Sequence, residues 1–280
     1  MMTYRECYRQ GVKVLNDASV PDADVDAWYL FEHVTGMKRS AFFLRAEEEM
    51  PEGDREHYCE LISRRRERIP LQYITGSQEF MGYSFEVSPA TLIPRQDTEI
   101  LVEEVSRVAA GKKVLDLCTG TGCIIISLAK LCKLSRAVGT DISVEAVETA
   151  KRNAAALSAD AEFFCGDLFD AVPNGYTFDI IVSNPPYIPS AVIETLMPEV
   201  REHEPMSALD GDADGLKFYR AIIENAYKYL VPGGMIFFEI GCEQAEDLSK
   251  LLLAKGFHTI RVIKDLAGLD RVVSATLGKQ

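Results

Sequence analysis

The sequence has no long apolar run and no excess of basic residues. None of its apolar stretches approaches the roughly 20 residues that a membrane-spanning helix needs. Lys and Arg number 30 against 43 Asp and Glu, which gives a formal net charge of −13. Because nucleic-acid binding relies on clustered Lys and Arg, this balance argues against a direct nucleic-acid partner. The first residues lack the apolar core of a signal peptide, so we expect a cytoplasmic protein without membrane association.

The chain also lacks the cysteine and histidine spacings that are typical of metal sites. Seven cysteines are scattered along the 280 residues without a Cys-x-x-Cys pair, and the four histidines show no metal-binding spacing. An odd number of cysteines at irregular spacing indicates reduced thiols, not a disulfide framework. We therefore expect neither a metal ion nor disulfides.

Residues 1–70 are predicted to form a small all-α domain. Apolar residues recur at helical spacing from Tyr4 to Leu15 and from Ala27 to Val34, and Trp28 is expected in the core. The basic run Arg64–Arg68 is interpreted as a solvated helix face, with a partner-docking patch as the alternative. Residues 71–94 are predicted to be a β-hairpin linker, with extended pieces at 72–76 and 80–87.

Residues 95–280 are predicted to form an α/β domain. A helix is expected to begin near Asp97, and strands then alternate with helices from Lys113 onward, which indicates a mostly parallel sheet covered on both faces. The seven predicted strands are Val114–Leu117, Ala137–Thr140, Glu162–Cys165, Phe178–Val182, Met235–Ile240, Thr259–Ile263 and Val272–Ala275. The predicted helices between them are Cys123–Leu131, Val144–Leu157, Leu216–Leu230 and Gln244–Leu253. The long segment 188–215 is interpreted as functional or mobile.

The tetrapeptide Asn184-Pro185-Pro186-Tyr187 follows one of these strands directly. Two prolines stiffen the backbone and carry no N–H groups, so the turn presents carbonyl oxygens with few competing donors. The Asn184 side chain adds another oxygen, and an aromatic ring follows. This arrangement suits a planar –NH2 group, such as a carboxamide or the amine of a nucleic-acid base. The alternative is a proline-rich structural turn.

A glycine-containing loop, Cys118-Thr119-Gly120-Thr121-Gly122, lies at the first predicted strand-to-helix junction. Asp141 ends the next strand, where a carboxylate typically binds ribose hydroxyls. Ile125 stands where a dinucleotide fingerprint has a further glycine, which favours a nucleoside ligand without a pyrophosphate. Asp167 ends the third strand and is a candidate acceptor for an adenine amine, with a helix cap or a turn former as the alternative.

Together, the residues at these strand ends resemble the pattern of the class I S-adenosyl-L-methionine-dependent methyltransferases, in the branch that carries the Asn-Pro-Pro-Tyr motif. The resemblance implies a Rossmann-like fold, S-adenosyl-L-methionine as cofactor and S-adenosyl-L-homocysteine as product. It also implies which residues contact the cofactor, namely Cys118, Thr119, Gly120, Thr121, Gly122, Asp141, Asp167, Leu168 and Asn184.

Two further segments narrow the resemblance. Leu92–Glu99 is similar to the Leu-Ile-Pro-Arg-x-Asp-Thr-Glu signature of the release factor glutamine methyltransferases, and Pro198–Pro205 with Ala208–Gly211 also resembles that family. The resemblance covers nearly the whole chain. It implies methylation of the side-chain nitrogen (N5) of glutamine in the Gly-Gly-Gln motif of class 1 peptide chain release factors, which modulates translation termination. It also implies that the helical domain helps to recognise this protein partner, and we expect a monomer.

By this resemblance, the Asn184 side chain and the Pro185 carbonyl accept hydrogen bonds from the target amide, with Pro186 completing the turn. Tyr187 is expected to pack against the amide plane. No general base is evident, since Glu199, His203 and Glu204 are interpreted as residues that stabilise the long segment. The alternatives are a ribosomal-protein glutamine methyltransferase, a nucleic-acid N6-adenine methyltransferase, and a non-catalytic binding protein.

The chain departs from the family pattern at four positions. Cys118 replaces a glycine, Leu168 replaces an aromatic residue beside the adenine, Gln96 replaces a proline, and Asp212 replaces a glycine. None of these changes removes a group with an expected catalytic role. They concern cofactor affinity, not the class of reaction.

Overall fold

The computed structural model describes residues 2–278 and contains two compact units. The first unit is Met1–Gly76 together with Met197–His203. The second is Ser77–Leu196 together with Glu204–Gln280. No helix among residues 2–278 is both long enough and apolar enough to cross a membrane.

The first unit is helical, as predicted. Its helices are α1 (Tyr4–Asp17), α2 (Ala23–Thr35), α3 (Arg39–Arg45), α4 (Glu52–Arg66) and α5 (Leu71–Thr75). Thr3 caps α1, because its hydroxyl accepts the Glu6 N–H at 3.2 Å while the Glu6 carboxylate accepts the Thr3 N–H at 2.8 Å. Trp28 lies in the aromatic core, stacked on Phe31 at a centroid distance of 5.5 Å.

Helix α5 corrects the predicted linker. Residues 72–76 were expected to be extended, but Leu71–Thr75 form a helical turn. Pro70 precedes this helix and fits its start, and Gly76 ends it at φ +77° in the left-handed conformation. In so short an apolar segment, the spacing of the apolar residues does not distinguish a helix from a strand. The hairpin itself consists of β1 (Ser77–Phe80) and β2 (Tyr83–Glu86), so it begins later than the sequence indicated.

The segment Met197–His203 was assigned to the α/β domain from the sequence, whereas the structure groups it with the helices. It contains α10 (Pro198–Arg201), and its Glu199 carboxylate accepts hydrogen bonds from Arg65 at 2.8 Å and from Arg68 at 2.7 Å. Arg65 also pairs with Asp26 at 2.6 Å. The basic run is therefore not wholly solvated, since Arg65 is buried. These ion pairs join a distant part of the sequence to the helical unit.

The second unit contains a seven-stranded sheet of order β5-β4-β3-β6-β7-β9-β8. The strands are β3 (Lys113–Leu117), β4 (Arg136–Asp141), β5 (Glu162–Cys165), β6 (Phe178–Ser183), β7 (Leu230–Glu239), β8 (Phe257–Lys264) and β9 (Asp270–Leu277). Strands β3 to β7 pair in parallel, while β9 runs antiparallel to both β7 and β8. The predicted mostly parallel sheet is confirmed.

Helices cover both faces of this sheet. One face carries α6 (Asp97–Ala109), α7 (Cys123–Cys132) and α8 (Val144–Leu157); the other carries α11 (Lys217–Ala226) and α12 (Ala245–Ala254). The central strands are apolar on both faces for this reason, and Val114 and Leu115 are both fully buried on opposite sides. The short α9 (Ser190–Ile193) and a 3-10 turn at Met206–Ala208 occupy the long segment.

One predicted helix is too long. The helix expected over Leu216–Leu230 ends at Ala226, and β7 starts at Leu230, earlier than the predicted Met235. Leu230 pairs with Phe178, and the register then shifts before Ile180 pairs with Met235. The Pro232-Gly233-Gly234 sequence is therefore an irregularity within the strand, not a turn that precedes it.

Candidate active site

A cavity of about 320 Å³ lies where the carboxyl ends of β3, β4 and β6 meet. Open parallel sheets bind ligands at this edge because loops from neighbouring strands converge there. The cavity receives residues from the loops after four strands, namely Cys118, Thr119, Gly120, Thr121, Asp141, Ser143, Asp167, Leu168, Asn184 and Pro186. The outer part of the lining comes from the Leu92–Arg95 region, Thr98, Pro205–Ala208, Lys217 and Phe218. Most of the predicted site residues are thus brought together.

The glycine loop turns sharply before α7. Cys118 has φ +60° and Gly120 has φ +54°, so the position at which this chain has cysteine adopts the left-handed conformation that favours glycine. Gly122 lies at the start of α7 with φ +80°, and a Cβ there would approach Ile126 Cδ1 to 2.8 Å. Its role in the structure is therefore close packing between loop and helix.

Asp141 is held by the glycine loop. Its carboxylate accepts the Gly120 N–H at 2.8 Å and the Ser143 N–H at 3.0 Å, one on each oxygen. Burial raises the pKa of Asp141, and these backbone hydrogen bonds oppose that shift. A carboxylate oxygen accepts more than one hydrogen bond, so both oxygens keep capacity for hydroxyl groups of a ligand.

Asp116 supports the same loop and was not singled out from the sequence. It is fully buried, and its Oδ2 accepts the Thr119 hydroxyl at 2.6 Å. Burial raises the pKa of Asp116 to about 7. Its Oδ1 has no hydrogen-bond partner among the described residues. Its place at the end of a buried strand beside a glycine loop was the available sequence signal.

Asp167 and Leu168, which follow β5, also line the cavity. Asp167 precedes the 3-10 turn Leu168–Ala171 but makes no capping hydrogen bond through its side chain, so the helix-cap alternative is not supported. Leu168 contributes an aliphatic surface to the lining. Phe218, on α11, adds an aromatic side chain to the lining, a contribution that the sequence interpretation missed.

The Asn-Pro-Pro-Tyr turn divides between two cavities. Asn184 and Pro186 line the first cavity, and the Asn184 Nδ2 donates to Thr98 Oγ1 at 3.3 Å. Tyr187 instead lines a second cavity of about 790 Å³, and its hydroxyl lies 3.4 Å from Glu239 Oε1. The expected packing of Tyr187 against a substrate amide stays a prediction, since Tyr187 is not among the residues that line the first cavity with Asn184.

The Tyr187 backbone is fixed by its neighbours. Its carbonyl accepts the Gln244 Nε2 at 2.9 Å, and the same nitrogen lies 3.3 Å from the Gly215 carbonyl. The Gly241 N–H donates to Gln244 Oε1 at 2.9 Å, which orients that amide. Gly211 also packs here, since a Cβ on it would lie 2.9 Å from Tyr187 Cα. Gln244 was missed because nothing local in the sequence links it to the motif.

Glu239 is the buried acid behind this turn. It is 1% exposed at the carboxyl end of β7, and burial raises its pKa to about 7. The positive charge of Arg271 and the Tyr187 hydroxyl, which lies 3.4 Å from Oε1, oppose this shift. Burial also raises the pKa of Tyr187.

The acids of the long segment are engaged elsewhere. Glu204 is buried, is paired with Arg95 and accepts the Ile93 N–H at 3.3 Å. Glu199 belongs to the helical unit, where it is paired with two arginines. The His203 Nε2 is buried and without a hydrogen-bond partner in the described part of the chain. These contacts of the two glutamates fit the structural roles predicted for them.

Comparison with known proteins identifies the family. The family model of the PrmC N-terminal domain matches residues 6–76, and that of the methyltransferase small domain matches residues 95–199. A release factor glutamine methyltransferase of Geobacter sulfurreducens is 42% identical over 265 residues, covering 94% of this chain and 93% of that protein. The corresponding protein of Agrobacterium fabrum is 41% identical over 272 residues, with 94% and 93% covered.

A solved methyltransferase structure from Pyrococcus furiosus aligns with 71% of this chain and 91% of its own, with a TM-score of 0.55 and 18% identity. At that identity the likeness shows the class I methyltransferase fold alone. The near full-length relatives show more, and the family that the sequence motifs indicated is confirmed. The chain belongs to the release factor glutamine methyltransferase family.

Proposed function

We propose that this protein transfers a methyl group from S-adenosylmethionine to the N5 amide nitrogen of the Gly-Gly-Gln glutamine in class 1 peptide chain release factors, and thereby modulates translation termination. The observation that carries the proposal is the orientation of Asn184. Its –NH2 group is hydrogen-bonded to Thr98, so the oxygen of the planar amide is directed away from Thr98, and the residue lines the first cavity. An oxygen there is the group that a substrate –NH2 requires.

The cavity fits the cofactor by its donor set. The carboxylate oxygens of Asp141 can accept further hydrogen bonds from the ribose hydroxyls. The Asp167 carboxylate makes no helix-capping hydrogen bond and can accept one from the adenine amine. Leu168 and Phe218 provide apolar surface for the base. When bound, S-adenosylmethionine supplies a methyl carbon on a positively charged sulfur; the C–S bond breaks as the N–C bond forms, leaving neutral S-adenosylhomocysteine.

The Asn184 side-chain oxygen and the Pro185 carbonyl accept the two N–H groups of the substrate amide. An amide nitrogen is a weak nucleophile because its lone pair is delocalised, so orientation matters greatly. Two fixed acceptors hold that nitrogen in place and stabilise the positive charge that develops on it. Pro185 and Pro186 are buried, and because proline has no backbone N–H group, neither residue can donate a competing hydrogen bond.

The proton of the methylated nitrogen passes to solvent. Glu199 and Glu204 are each paired with arginine, so neither carboxylate is free to act as a base. The proposal uses no metal ion, and residues 2–278 contain no group of three or more His, Cys, Asp or Glu side chains placed to hold one.

The helical unit, α1 to α5, serves to recognise the body of the release factor, while the second unit carries the chemistry. The match of residues 6–76 to the PrmC N-terminal domain supports a separate helical domain, and recognition of the release factor is the role that we propose for it. We expect the protein to act as a monomer in the cytoplasm, where release factors work.

The test is methylation in vitro. Wild-type protein is incubated with labelled S-adenosylmethionine and a folded class 1 release factor, and the modified peptide is located by mass spectrometry. The matched substrate has Ala in place of the glutamine of Gly-Gly-Gln. Methylation of the first substrate alone supports the proposal; equal labelling of both substrates, or strong labelling of duplex DNA, contradicts it.

A further inference from the structure

The helical unit has a cavity of its own, which the proposed chemistry does not use. This arginine cavity has a volume of about 240 Å³ and is lined by residues of α1, α2 and α3, namely Arg5, Tyr8, Arg9, Asp24, Trp28, Arg39, Phe42 and Phe43. We propose that it is a docking site for a segment of the release factor in which a carboxylate side chain lies next to an apolar one. The inference rests on the proposed function, because it takes the release factor as the partner of the helical unit.

The arginine cavity is built from side chains at helical spacing. Arg5 and Arg9 are four residues apart on α1, and Arg39 and Phe43 are four residues apart on α3. Residues at that spacing lie on the same face of a helix. Two helices therefore each present arginine to one cavity, and α2 contributes Trp28 to its lining.

An ordered group of aromatic rings lines this cavity. Trp28 is buried, and its ring meets Phe42 at a centroid distance of 5.4 Å and Tyr8 at 5.7 Å, both edge to face. The Tyr8 hydroxyl donates to Asp24 Oδ1 at 2.7 Å, which also fixes the polar end of that ring. Side chains that are already fixed lose little entropy on binding, so the site is largely formed before a partner arrives.

Two of the three arginines have no carboxylate partner. Arg5 pairs with Glu47 at 2.7 Å, whereas neither Arg9 nor Arg39 forms an ion pair with another residue of the described part of the chain. The Arg39 guanidinium instead lies 4.6 Å from the centroid of the Trp28 ring. A guanidinium that stacks on an aromatic face can still donate through its edge to a carboxylate.

The charge of the lining indicates the chemistry of the partner. The chain has a net charge of −13, yet this cavity is lined by three arginines and a single aspartate. Such a cavity attracts carboxylates. Nucleic acid would bring many phosphates close to an acidic chain, and this repulsion is smaller for a short acidic segment of a protein. A protein carboxylate is therefore the anion that fits.

Exposed aromatic side chains accompany the arginines. Phe43 lines the cavity and is 71% exposed, and Tyr29, which follows Trp28 on α2, is 55% exposed. Aromatic residues and arginine are enriched in protein interfaces, where an aromatic ring and a guanidinium often dominate the binding free energy. The exposed ring of Phe43 accounts for the apolar side chain that we expect beside the acid of the partner.

The arginine cavity and the first cavity share no lining residue. Docking in the arginine cavity should therefore change how tightly the release factor binds, not how fast the bound glutamine is methylated. Such binding energy is the same in the ground state and in the transition state, so its loss raises KM and leaves kcat unchanged.

The first test reverses the two unpaired charges in Arg9→Glu and Arg39→Glu. Each variant loses charge-assisted hydrogen bonds and places a carboxylate opposite the acid of the partner. We expect KM for the folded release factor to rise by at least about 10-fold in each, while kcat and Kd for S-adenosylmethionine change less than about 3-fold. Arg9→Lys, which keeps the charge, should retain most of the affinity. Wild-type KM in both charge reversals would overturn the proposal.

Arg66→Glu is the matched control for charge. It makes the same change at an exposed arginine of the same unit, on α4 and outside the arginine cavity. Its KM should stay within about 3-fold of the wild-type value, since exposed charges at a distance are screened by salt. An increase equal to that of Arg9→Glu would show that the release factor responds to the overall charge of the unit, and would contradict the proposal.

Phe43→Ser tests the apolar part of the site. The Phe43 ring is largely exposed, so its loss should affect the partner more than the fold. We expect KM for the release factor to rise by roughly 10-fold with kcat unchanged, the scale at which an interface aromatic residue contributes. An unchanged KM would remove the apolar half of the proposed partner chemistry and so contradict the proposal.

A further readout does not depend on activity. Trp28 is the single tryptophan of the chain, so labelling with 5-fluorotryptophan gives one ¹⁹F resonance from the lining of the arginine cavity. We expect unlabelled folded release factor to shift this resonance in the wild type and in Arg66→Glu, but not at the same concentration in Arg9→Glu. A wild-type resonance that does not shift at release factor concentrations above KM contradicts the proposal, even in an active enzyme. An inactive wild type whose resonance still shifts would instead contradict the proposed methylation alone.

Discussion

Gly215→Ala tests how the Asn-Pro-Pro-Tyr turn is held. Gly215 has φ +73°, and a Cβ there would lie 2.3 Å from the Tyr187 carbonyl oxygen and 2.5 Å from Gln244 Nε2. The methyl group must displace the Tyr187 carbonyl or the Gln244 amide, and these two groups are hydrogen-bonded to each other at 2.9 Å. The substitution therefore combines backbone strain with the loss of a specific contact.

The expected cost follows from those two parts. A left-handed conformation costs an alanine about 1–2 kcal/mol relative to its preferred region. Disrupting the partly buried hydrogen bond adds about 1–2 kcal/mol, since a partner is left unsatisfied. The total is about 2–4 kcal/mol of unfolding free energy. Because the displaced atoms belong to the turn that carries Asn184, we also expect methyl transfer to slow by about 10²-fold, as misplacement by about 1 Å can produce.

Gly175→Ala is the matched control. Gly175 has a similar φ of +83°, but nothing lies within 4 Å of a Cβ built there. It should show only the backbone cost and near wild-type activity. Urea unfolding and single-turnover methyl transfer, measured on both variants, separate strain from the clash. Equal stabilities and equal rates for the two variants would refute the argument that Gly215 is required for close approach to Tyr187.

Three further predictions concern the cofactor, the chemistry and the helical unit. Asp141→Ala should weaken S-adenosylmethionine binding by about 1.5–3 kcal/mol in calorimetry, the scale of a hydrogen bond to a charged group, and unchanged affinity would contradict the ribose assignment. Asn184→Ala should lower the single-turnover rate by about 10²–10³-fold with cofactor affinity kept within a few-fold; a rate close to wild type would make the motif a structural turn. Burial opposes ionisation of Glu199, but hydrogen bonds from Arg68 and Arg65 lower its pKa from 4.5 to about 2. Its stabilising contribution should thus be complete above pH 4.5 and lost as the pH falls toward 2, so the advantage of wild type over Glu199→Gln in thermal denaturation should shrink between pH 7 and pH 3. An advantage that does not depend on pH would contradict this.

The elements that the sequence predicted well are those with a strong local pattern. Strand β6 is a mostly apolar run that is followed closely by Pro185 and Pro186, and the structure buries it between two helical layers. Helix α8 has the predicted bounds Val144–Leu157, and Ser143 caps it through a 3.1 Å hydrogen bond from the Ala146 N–H. In both cases the decisive information lies within about 15 consecutive residues.

The features that were wrong or missed are either too short to show a pattern or depend on distant partners. The short piece Leu71–Thr75 has too few residues for its periodicity to separate helix from strand. Thr98 bonds Asn184 across 86 positions of the sequence, and Tyr187 reaches Glu239 across 52. A threonine near a helix start is locally unremarkable. Only folding shows that it contacts the side chain on which the proposed chemistry depends.

The loop for which cofactor binding is predicted could be placed at a strand end because its signals are local, whereas the packing around it could not be predicted. Cys118-Thr119-Gly120-Thr121-Gly122 could be recognised at a strand end, and four of these five residues line the cavity. The contribution of Phe218 could not be predicted, because it comes from a helix far along the chain.

The most direct test of the central claim is mass spectrometry of the Gly-Gly-Gln peptide after a folded class 1 release factor has been incubated with the wild-type protein and S-adenosylmethionine. The account predicts one added methyl group, located on the side-chain nitrogen of the glutamine and absent when Asn184→Ala replaces the wild type for the same time. An unmodified glutamine with wild-type protein that binds the cofactor, or a methyl group on another residue, would contradict it.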